Sequence, residues 1–512
     1  MYYYSFINKF KKIVETNKDK IAIKNNSTNQ YSFNELDTIS DCIAVKILKK
    51  KIKINEVIII DAKKKLITYA AIVACLKIGC PYVLIDFSQP ITRIKKILLR
   101  CNSKICLSFS NNKILIKTLF KKYINLDNIK FSNTKCSEVK KRGMQVVSST
   151  PAYIMFTSGS TGFPKGAIIT HQNILNFSAW AKEEYELDSK DIVTNVNPLY
   201  FDNSVFDIYS SLLNGLKLII FNQVDTLDPL KLIQKLLKNK CSIWFSTPSL
   251  LIFLINYKLI TKKNFKYVQK IIFGGEGFPK NKLRQLISTL GKKKRFYNVY
   301  GPTECTCICS SHEVLEKDFK INSNYITLGN ISKNFQFEII NSKFERVKKS
   351  KVGELLLLGP NVGLGYIGQN DLTDQRFIQN PFNKKFRDIG YRTGDFVYQE
   401  KKNDQLFFVG REDSQIKHMG YRIELNEIEI AINNIKNIKE AVVFYKKEAN
   451  SGKIITVIAC NELDKKEYIY NTLKKKLPIY MIPSKIFLVK NLLKNRNNKI
   501  DRKKIKDIYE KK

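Results

Sequence analysis

The chain has 512 residues, of which 44% are hydrophobic, and a formal net charge of +42 from 88 basic and 46 acidic residues. This length and hydrophobic content exclude a small single-core protein and predict more than one domain. The basic residues lie in short lysine groups along the whole chain rather than on one periodic face, which favours a solvated basic surface over a nucleic-acid-binding protein.

The cysteines and the first residues indicate the compartment. The 11 cysteines follow no regular spacing and their number is odd, which favours free thiols and a reducing compartment. Cys305, Cys307, Cys309 and His312 form a cluster, but its spacing lacks the pairs typical of zinc sites and favours buried small side chains over a metal site. The start lacks the apolar core of a signal peptide, and no apolar run reaches the ~20 residues of a membrane span. We therefore expect a cytoplasmic protein without a membrane span.

Short apolar runs that end in polar or glycine-containing turns recur through most of the chain. They end at Asp86, Gln223, Gly274 and Gly301, and helical patterns lie between them. This alternation predicts an α/β fold with buried, largely parallel strands and helical crossovers. Ligands of such folds bind beyond the carboxyl ends of the strands, where these turns fall.

The pattern changes after about residue 410. One face of a predicted helix carries Leu425, Ile428, Ile432 and Ile435. Strand-like EAVVFYKK and KIITVIAC follow, then a helical pattern and a final strand, a normal domain in size. We predict a large domain over residues 1–412 and a small α+β domain over residues 413–512.

The stretch FTSGSTGFPKG, residues 156–166, combines glycines, hydroxyl side chains and one lysine. Such backbone can direct several N–H groups at one anion, which predicts a phosphate-binding loop. It is not a Walker A motif, because Pro164 precedes Lys165 and Gly166 follows it. A flexible loop without a ligand is the alternative.

The loop resembles the signature of the adenylate-forming enzymes, the superfamily of acyl-CoA synthetases, luciferases and amino-acid adenylation domains. The resemblance continues in order through LKIGCPYVLID, FDNSVFDI, FGGEG, NVYGPTE, GELLLLGPNVGLGYIG, YRTGD, GREDSQIKHMGYRIEL, LPIYMIP and NNKIDR. It implies a large N-terminal domain of layered sheets and helices with a small mobile C-terminal domain. It also implies that a substrate carboxylate attacks the α-phosphate of ATP, giving an acyl-adenylate and pyrophosphate.

The resemblance implies the residues of an ATP and Mg²⁺ site. The loop over the pyrophosphate would comprise Thr157, Ser158, Gly159, Ser160, Thr161, Gly162 and Lys165. Gly275 and Glu276 would line the adenine side, and Tyr300 would lie against the ring. Thr303 would contact the α-phosphate and Glu304 the Mg²⁺. Asp395 would accept both ribose hydroxyls, and Arg411 would be a further nucleotide contact or, alternatively, part of a domain-boundary ion pair.

Asp202 resembles the aspartate that pairs with the substrate ammonium in amino-acid adenylation domains. A buried carboxylate without a cation is costly, so Asp202 favours an amino acid as substrate; a helix cap is the alternative, for which Asp207 fits as easily. The remaining pocket is implied to contain Asn203, Phe206, Ser249, Ile272, Gly274, Val299, Cys307 and Ile308. Phe206 and Ile308 would form a shallow floor and Gly274 would leave extra width, so we expect a small or modest side chain.

Residues 197–215 resemble stand-alone D-alanine:carrier-protein ligases, which makes D-alanine a candidate substrate, although those ligases commonly have cysteine where Gly274 lies. The implied acceptor is the phosphopantetheine thiol of a separate acidic carrier protein. Lys499 is implied to bridge the substrate carboxylate and the α-phosphate, with Asn498 in place of the usual glycine. Asp413 corresponds to the hinge, and Gly420 would face the pantetheine arm. An acyl-CoA or aryl-acid:CoA ligase is the alternative function.

Overall fold

The structure is a computed structural model that describes residues 3–110, 113–130, 136–321, 323, 325–411, 415–446, 448, 452–461, 465–495 and 500–510. Lys499 and Asp413, the predicted adenylation lysine and the predicted hinge, lie outside these residues. The chain divides into two compact units. The first comprises Met1–Asp86, Arg100–Phe156 and Gly166–Glu412, and the second comprises Phe87–Leu99, Thr157–Lys165 and Asp413–Lys512.

The helices are numbered in chain order. They are α1 (Phe6–Thr16), α2 (Phe33–Leu48), α3 (Leu66–Lys77), α4 (Ile91–Cys101), α5 (Lys113–Leu119), α6 (Ser137–Gly143), α7 (His171–Glu184), α8 (Asn203–Val205), α9 (Gln223–Leu227), α10 (Pro229–Lys238), α11 (Pro248–Asn256), α12 (Lys280–Leu290), α13 (Asn370–Arg376), α14 (Leu425–Asn433), α15 (Lys466–Lys476) and α16 (Arg502–Tyr509). A π-helical turn, Phe206–Ser210, continues α8.

The strands are numbered in the same way. They are β1 (Ile21–Lys24), β2 (Gln30–Ser32), β3 (Ile58–Asp61), β4 (Tyr82–Ile85), β5 (Ile105–Ser108), β6 (Lys122–Asn125), β7 (Pro151–Thr157), β8 (Lys165–Thr170), β9 (Ile192–Asn195), β10 (Lys217–Ile220), β11 (Ile243–Ser246), β12 (Lys270–Gly274), β13 (Arg295–Tyr300), β14 (Ser310–Glu313), β15 (Asn330–Ile331), β16 (Gln336–Ile340), β17 (Gly353–Leu358), β18 (Phe377–Gln379), β19 (Ile389–Gln399), β20 (Leu406–Arg411), β21 (Gln415–His418), β22 (Tyr421–Glu424), β23 (Ile438–Lys446), β24 (Lys453–Cys460) and β25 (Lys485–Val489).

Two large sheets organise the first unit. One has nine strands in the order β15-β14-β13-β12-β11-β9-β10-β1-β2, and the other has six in the order β6-β5-β3-β4-β7-β8. Strands β9 to β13 pair in parallel, as do β3 to β6 among themselves. Strands β3, β4, β5 and β11 are buried along their whole length, as parallel strands covered on both faces should be. The predicted α/β class is confirmed.

A third sheet of the first unit is antiparallel. Its strands run in the order β16-β17-β19-β18, and β20 pairs with β19. The register places Asp395 of β19 opposite Arg411 of β20. This pairing joins two of the predicted nucleotide contacts.

Helix α3 explains a long apolar run that is interrupted by a lysine. Nearly all of its residues are buried, and Lys77 at its end is itself buried. The Lys77 Nζ atom lies 2.6 Å from carboxylate oxygens of both Asp37 and Asp41. Its buried charge is therefore paired with two carboxylates. Among the described residues, no helix is both long and apolar enough to cross a membrane.

The second unit contains the predicted small α+β arrangement. Strands β23 and β24 are antiparallel, β25 pairs in parallel with β24, and β21 and β22 form a separate ribbon. The four residues predicted to share a helix face are all buried against these strands: Leu425, Ile428, Ile432 and Ile435. Most of α4 and the predicted phosphate loop also belong to this unit, although we placed both segments in the large domain from the sequence.

Candidate active site

Asp395 is the centre of a buried polar group in the first unit. The Tyr300 hydroxyl donates a hydrogen bond of 2.5 Å to Asp395 Oδ2, and the Arg411 guanidinium donates to Asp395 Oδ1. Burial, together with the Asp395 charge, raises the pKa of Tyr300 well above its usual value, so the phenol remains a donor. A carboxylate has about four lone-pair sites, so these two bonds leave acceptor capacity for a ribose diol. Arg411 thus forms an ion pair with Asp395, a residue of the same compact unit, and its contact with a nucleotide stays a prediction.

Glu304 lies in a fully buried 3₁₀ turn, Thr303–Cys305, that follows β13. The Tyr366 hydroxyl donates a 2.6 Å hydrogen bond to Glu304 Oε1, and Tyr366 and Tyr391 place their hydroxyl oxygens 3.3 Å apart. Magnesium in nucleotide sites typically takes one or two carboxylates together with phosphate oxygens, so the Glu304 carboxylate is a suitable ligand for it. No group of three His, Cys, Asp or Glu side chains suited to a metal occurs in the part of the chain that the structure describes.

Asp202 and Thr303 are in direct contact. The Thr303 hydroxyl donates a hydrogen bond to Asp202 Oδ2 with a distance of 2.5 Å. Asp202 is half-buried and directly precedes α8, but within the described residues its side chain makes no capping hydrogen bond to that helix. The helix-cap alternative is thereby excluded for this conformation. The contact joins the residue predicted for the substrate ammonium to the residue predicted for the α-phosphate.

The predicted substrate pocket is largely apolar and closely packed. Five of its residues are buried in one hydrophobic core cluster: Phe206, Ile272, Val299, Cys307 and Ile308. Burial and the nearby Asp202 charge raise the pKa of Cys307 well above its usual value, so its thiol stays neutral. Asn203 is also buried, and its Nδ2 atom has no hydrogen-bond partner among the described residues.

The expected extra width at Gly274 is absent. A Cβ atom at Gly274 would lie 2.5 Å from both Val299 Cγ2 and the Val299 carbonyl oxygen. The space of the missing side chain is therefore filled by the neighbouring strand β13, which pairs with β12 at this point. This correction strengthens the expectation of a small substrate side chain.

Ser249 and Glu276 join the predicted substrate pocket to the predicted adenine side. The Glu276 Oε1 atom accepts a 2.8 Å hydrogen bond from the Ser249 backbone N–H and a second one from the Ser249 hydroxyl. Gly275, before Glu276, has a φ of 89°, a conformation that glycine adopts without strain. The first turn of α11 and the segment that follows β12 are thus fixed to each other.

A polar network around the buried Asp207 was missed in the sequence. The Asp207 Oδ2 atom accepts hydrogen bonds of 2.8 Å from Asn195 and 3.1 Å from Asn197. The Lys64 Nζ atom donates to the carbonyl oxygens of Asn195 and Phe221. Burial raises the pKa of Asp207 and lowers the pKa of Lys64, so both shifts favour the neutral groups. Asp207 is thus a core acid rather than the helix cap that we considered for it.

The predicted phosphate loop of the second unit folds tightly upon itself. The Gly162 N–H donates to the Gly159 carbonyl with a distance of 3.0 Å, and a Cβ atom at Gly159 would lie 1.9 Å from the Phe163 carbonyl oxygen. Only glycine fits at that position. The Thr157 Oγ1 atom is buried without a hydrogen-bond partner in the described part of the chain. Ser160 and Thr161 are exposed.

Carboxylates of the same unit contact the anion-binding groups of the loop. The Lys165 Nζ atom lies 3.0 Å from Glu424 Oε1, and the Gly159 N–H donates to Glu427 Oε2 with a distance of 3.2 Å. Arg93 of α4 donates a further 2.9 Å hydrogen bond to Glu427. Glu424 lies inside the quoted motif GREDSQIKHMGYRIEL, and Glu427 lies two residues beyond its end. No feature of the sequence pointed to Arg93.

The three cysteines and the histidine of the predicted cluster pack in different surroundings. Thr306 and Cys307 both have positive φ values, 61° and 75°, so the segment is not extended. Cys305 and Cys309 pack in a different hydrophobic cluster from Cys307, and His312 pairs with Asp318 at 2.8 Å. No disulfide joins any cysteines among the described residues.

The chain matches known proteins over most of its length. The family model described as AMP-binding enzyme matches residues 10–367. The D-alanine--D-alanyl carrier protein ligase of Bacillus licheniformis is 32% identical over 513 residues, covering 98% of this chain and 99% of that protein. The chain belongs to the AMP-binding enzyme family. This confirms the resemblance stated from the sequence motifs, and this AMP-binding enzyme is an AMP-forming ligase.

Two solved structures share the fold of this chain. The Vibrio cholerae adenylation domain AlmE, in complex with glycyl-adenosine-5'-phosphate, has a TM-score of 0.84 at 19% identity and covers 100% of this chain and 99% of its own. The o-succinylbenzoate CoA synthetase of Bacillus subtilis, as a double mutant, also has a TM-score of 0.84, at 17% identity, with coverage of 98% of both chains. Both an adenylation domain and a CoA synthetase match equally well, so the fold does not select the acid or the acceptor.

Proposed function

We propose that this AMP-binding enzyme adenylates an amino acid with ATP and transfers it to the phosphopantetheine thiol of a separate carrier protein. The observation that carries the proposal is the Thr303–Asp202 hydrogen bond. In an amino acid only one carbon separates the ammonium from the carboxylate. The group that binds the ammonium must therefore lie beside the group that contacts the α-phosphate, as Asp202 lies beside Thr303.

The first half-reaction requires no nucleophile from the protein. The substrate carboxylate attacks the α-phosphorus of ATP, and pyrophosphate leaves with the electron pair of the broken P–O bond. Catalysis then consists of positioning and neutralisation of charge. Asp202 would orient the substrate through its ammonium, Thr303 would contact the α-phosphate, and Asp395 would hold the ribose.

The phosphates carry most of the charge to be neutralised. Glu304 would hold Mg²⁺, which supplies positive charge to the phosphate oxygens when it is bound. Lys165 and the loop N–H groups would contact the leaving pyrophosphate. Lys499 would bridge the substrate carboxylate and the α-phosphate, a role that rests on the family motif.

The second half-reaction needs a different arrangement around the same adenylate. The carrier thiol loses its proton and attacks the carbonyl carbon, the thioester forms, and AMP leaves. Lys499 must withdraw before a thiol can enter, so we infer a rigid-body turn of a small domain of residues 413–512 about Asp413. Gly420 would then face the pantetheine arm.

D-alanine is the first substrate to test. The 32% identical relative from B. licheniformis is named for D-alanine and its carrier protein, and the similarity spans both chains almost completely. The closely packed pocket around Phe206, Val299 and Ile308 also favours a small side chain.

The acceptor distinguishes the proposed ligase from a CoA ligase. We expect thioester formation on a phosphopantetheine-bearing acidic carrier protein to exceed that on free coenzyme A by at least ~100-fold in kcat/KM, because docking supplies binding energy that the free thiol lacks. The rate should fall with rising salt, because the chain carries a net charge of +42. The test is radiolabelled amino-acid transfer to holo carrier, apo carrier and coenzyme A. Equal or faster transfer to coenzyme A would contradict the proposal.

A further inference from the structure

The predicted phosphate loop already has negatively charged partners in this structure. Glu424 at the end of β22 and Glu427 in the first turn of α14 direct their carboxylates at Lys165 and at the Gly159 N–H. These two donors are the groups that a phosphate would use. All four residues belong to the second compact unit.

The contacts are buried, so another anion and these carboxylates cannot contact the same donors at the same time. Lys165 is 8% exposed, Glu424 1% and Glu427 4%. The Ser158 hydroxyl strengthens the arrangement, because it donates to the Arg422 carbonyl and accepts from the Glu424 N–H. A phosphate oxygen at the Lys165 ammonium would lie against a like-charged carboxylate, so the carboxylate must move away before the phosphate binds.

Helix α4 supplies a further cation at the same place. The Arg93 guanidinium and the Gly159 N–H both donate to the Glu427 carboxylate, so this carboxylate occupies a pocket made of one guanidinium and one amide. Arg93 is 6% exposed, and its Nε atom has no hydrogen-bond partner among the described residues. Lys96, one turn further along α4, donates to the Gly162 carbonyl and holds the loop from the same side.

We propose that Glu424 and Glu427 are internal counter-anions of the phosphate loop that compete with pyrophosphate for Lys165 and the Gly159 N–H. The inference rests on the proposed function, because it takes pyrophosphate as the natural ligand of the loop. In each cycle the nucleotide phosphates displace the two carboxylates, and the carboxylates displace pyrophosphate afterwards. Glu424 and Glu427 are thus positioning residues that weaken phosphate binding and favour product release.

Removing either negative charge should strengthen pyrophosphate binding. We expect Glu424→Gln and Glu427→Gln each to lower the dissociation constant of inorganic pyrophosphate by about tenfold, because the binding-competent loop no longer has to be released from a carboxylate. The measurement is isothermal titration of the full chain at about 0.15 M salt, where the screening length of ~8 Å suppresses non-specific attraction to the basic surface. Unchanged or weaker binding in both variants would overturn the inference.

Glu429→Gln is the matched control. Glu429 lies on the same helix and is buried, but its carboxylate pairs with Arg502 and accepts from the Val443 N–H. The control loses the same charge without a contact to the loop, so its affinity for pyrophosphate should equal that of the wild type. A tenfold gain in the control as well would show a general charge effect and overturn the inference.

A double-mutant cycle separates the two carboxylates. In a Lys165→Met background, Glu424→Gln should no longer change pyrophosphate affinity, since Glu424 acts through Lys165, whereas Glu427→Gln should keep its effect through Gly159 and Arg93. If the role of Glu424 were only structural, Glu424→Gln would still change pyrophosphate affinity in that background, and this result would contradict the assignment. If Glu424→Gln fails to fold, the pyrophosphate affinity of Glu427→Gln alone tests the inference.

The outcomes separate this inference from the proposed function. If the wild type binds and exchanges pyrophosphate but both glutamine variants match it, the competition is refuted and the ligase function stands. If the wild type neither binds pyrophosphate nor exchanges it with any amino acid, both are refuted.

Discussion

Lys499→Ala should lower amino-acid-dependent ATP–pyrophosphate exchange by about 100- to 1,000-fold, the usual cost of removing a group that stabilises developing charge in a transition state. The same variant should still transfer a supplied aminoacyl-adenylate to the carrier thiol at close to the wild-type rate. The reason is that Lys499 is proposed to bridge the carboxylate and the α-phosphate in the first half-reaction only. Both rates are measured on the full chain, the first with labelled pyrophosphate and the second with chemically prepared adenylate.

The control for this experiment is a lysine of the same tail. Lys503 is exposed on α16, and Lys503→Ala should leave both half-reactions unchanged. Loss of both half-reactions in Lys499→Ala would show a structural role, and retention of both would show that another group bridges the reacting atoms. Either result would refute the assignment of Lys499.

Asp202→Ala should reduce kcat/KM for the amino acid by about 100-fold, because removing one partner of an ion pair leaves the substrate ammonium without its counter-charge. Asp202 is half-buried, so we expect a smaller loss of kcat/KM than the removal of one partner from a fully buried ion pair would cause. The loss should fall mainly on the KM for the amino acid, since the ammonium is bound equally in the ground and transition states. The KM for ATP should change little.

Asp202→Asn refines this experiment. The amide keeps an acceptor for the Thr303 hydroxyl but carries no charge, so it should be nearly as impaired as alanine if the charge matters. Asp371→Asn is the control, an exposed acid of α13 in the same compact unit. Wild-type activity towards the amino acid in Asp202→Ala would contradict the ammonium role and favour an acid without an amino group.

The sequence predicted the fold well where the physical signal is local. Runs that end at Gly274 and Gly301 are the ends of the parallel strands β12 and β13, because buried strands need continuous apolar residues and turns need permissive ones. The amphipathic face from Leu425 to Ile435 likewise became the core of the second unit. Such patterns depend on residues that are close to one another along the chain, so the sequence alone predicts them.

The parts that the sequence did not predict depend on long-range contacts. Glu424 and Glu427 reach the phosphate loop from more than two hundred residues away, and no spacing rule connects them. The width at Gly274 was misjudged because Val299 of the adjacent strand fills it. Tyr366 is in the quoted motif GLGYIG, yet only the structure shows that its hydroxyl contacts Glu304.

The central claim is that the substrate of this AMP-binding enzyme is an amino acid, and ATP–pyrophosphate exchange across a panel of L- and D-amino acids tests it most directly. We expect strong stimulation by one or a few amino acids with small side chains, with D-alanine first among those to be tried. The panel should include benzoate and a fatty acid as carboxylates without an ammonium. Exchange stimulated only by those two acids, and by no amino acid of either chirality, would contradict the account.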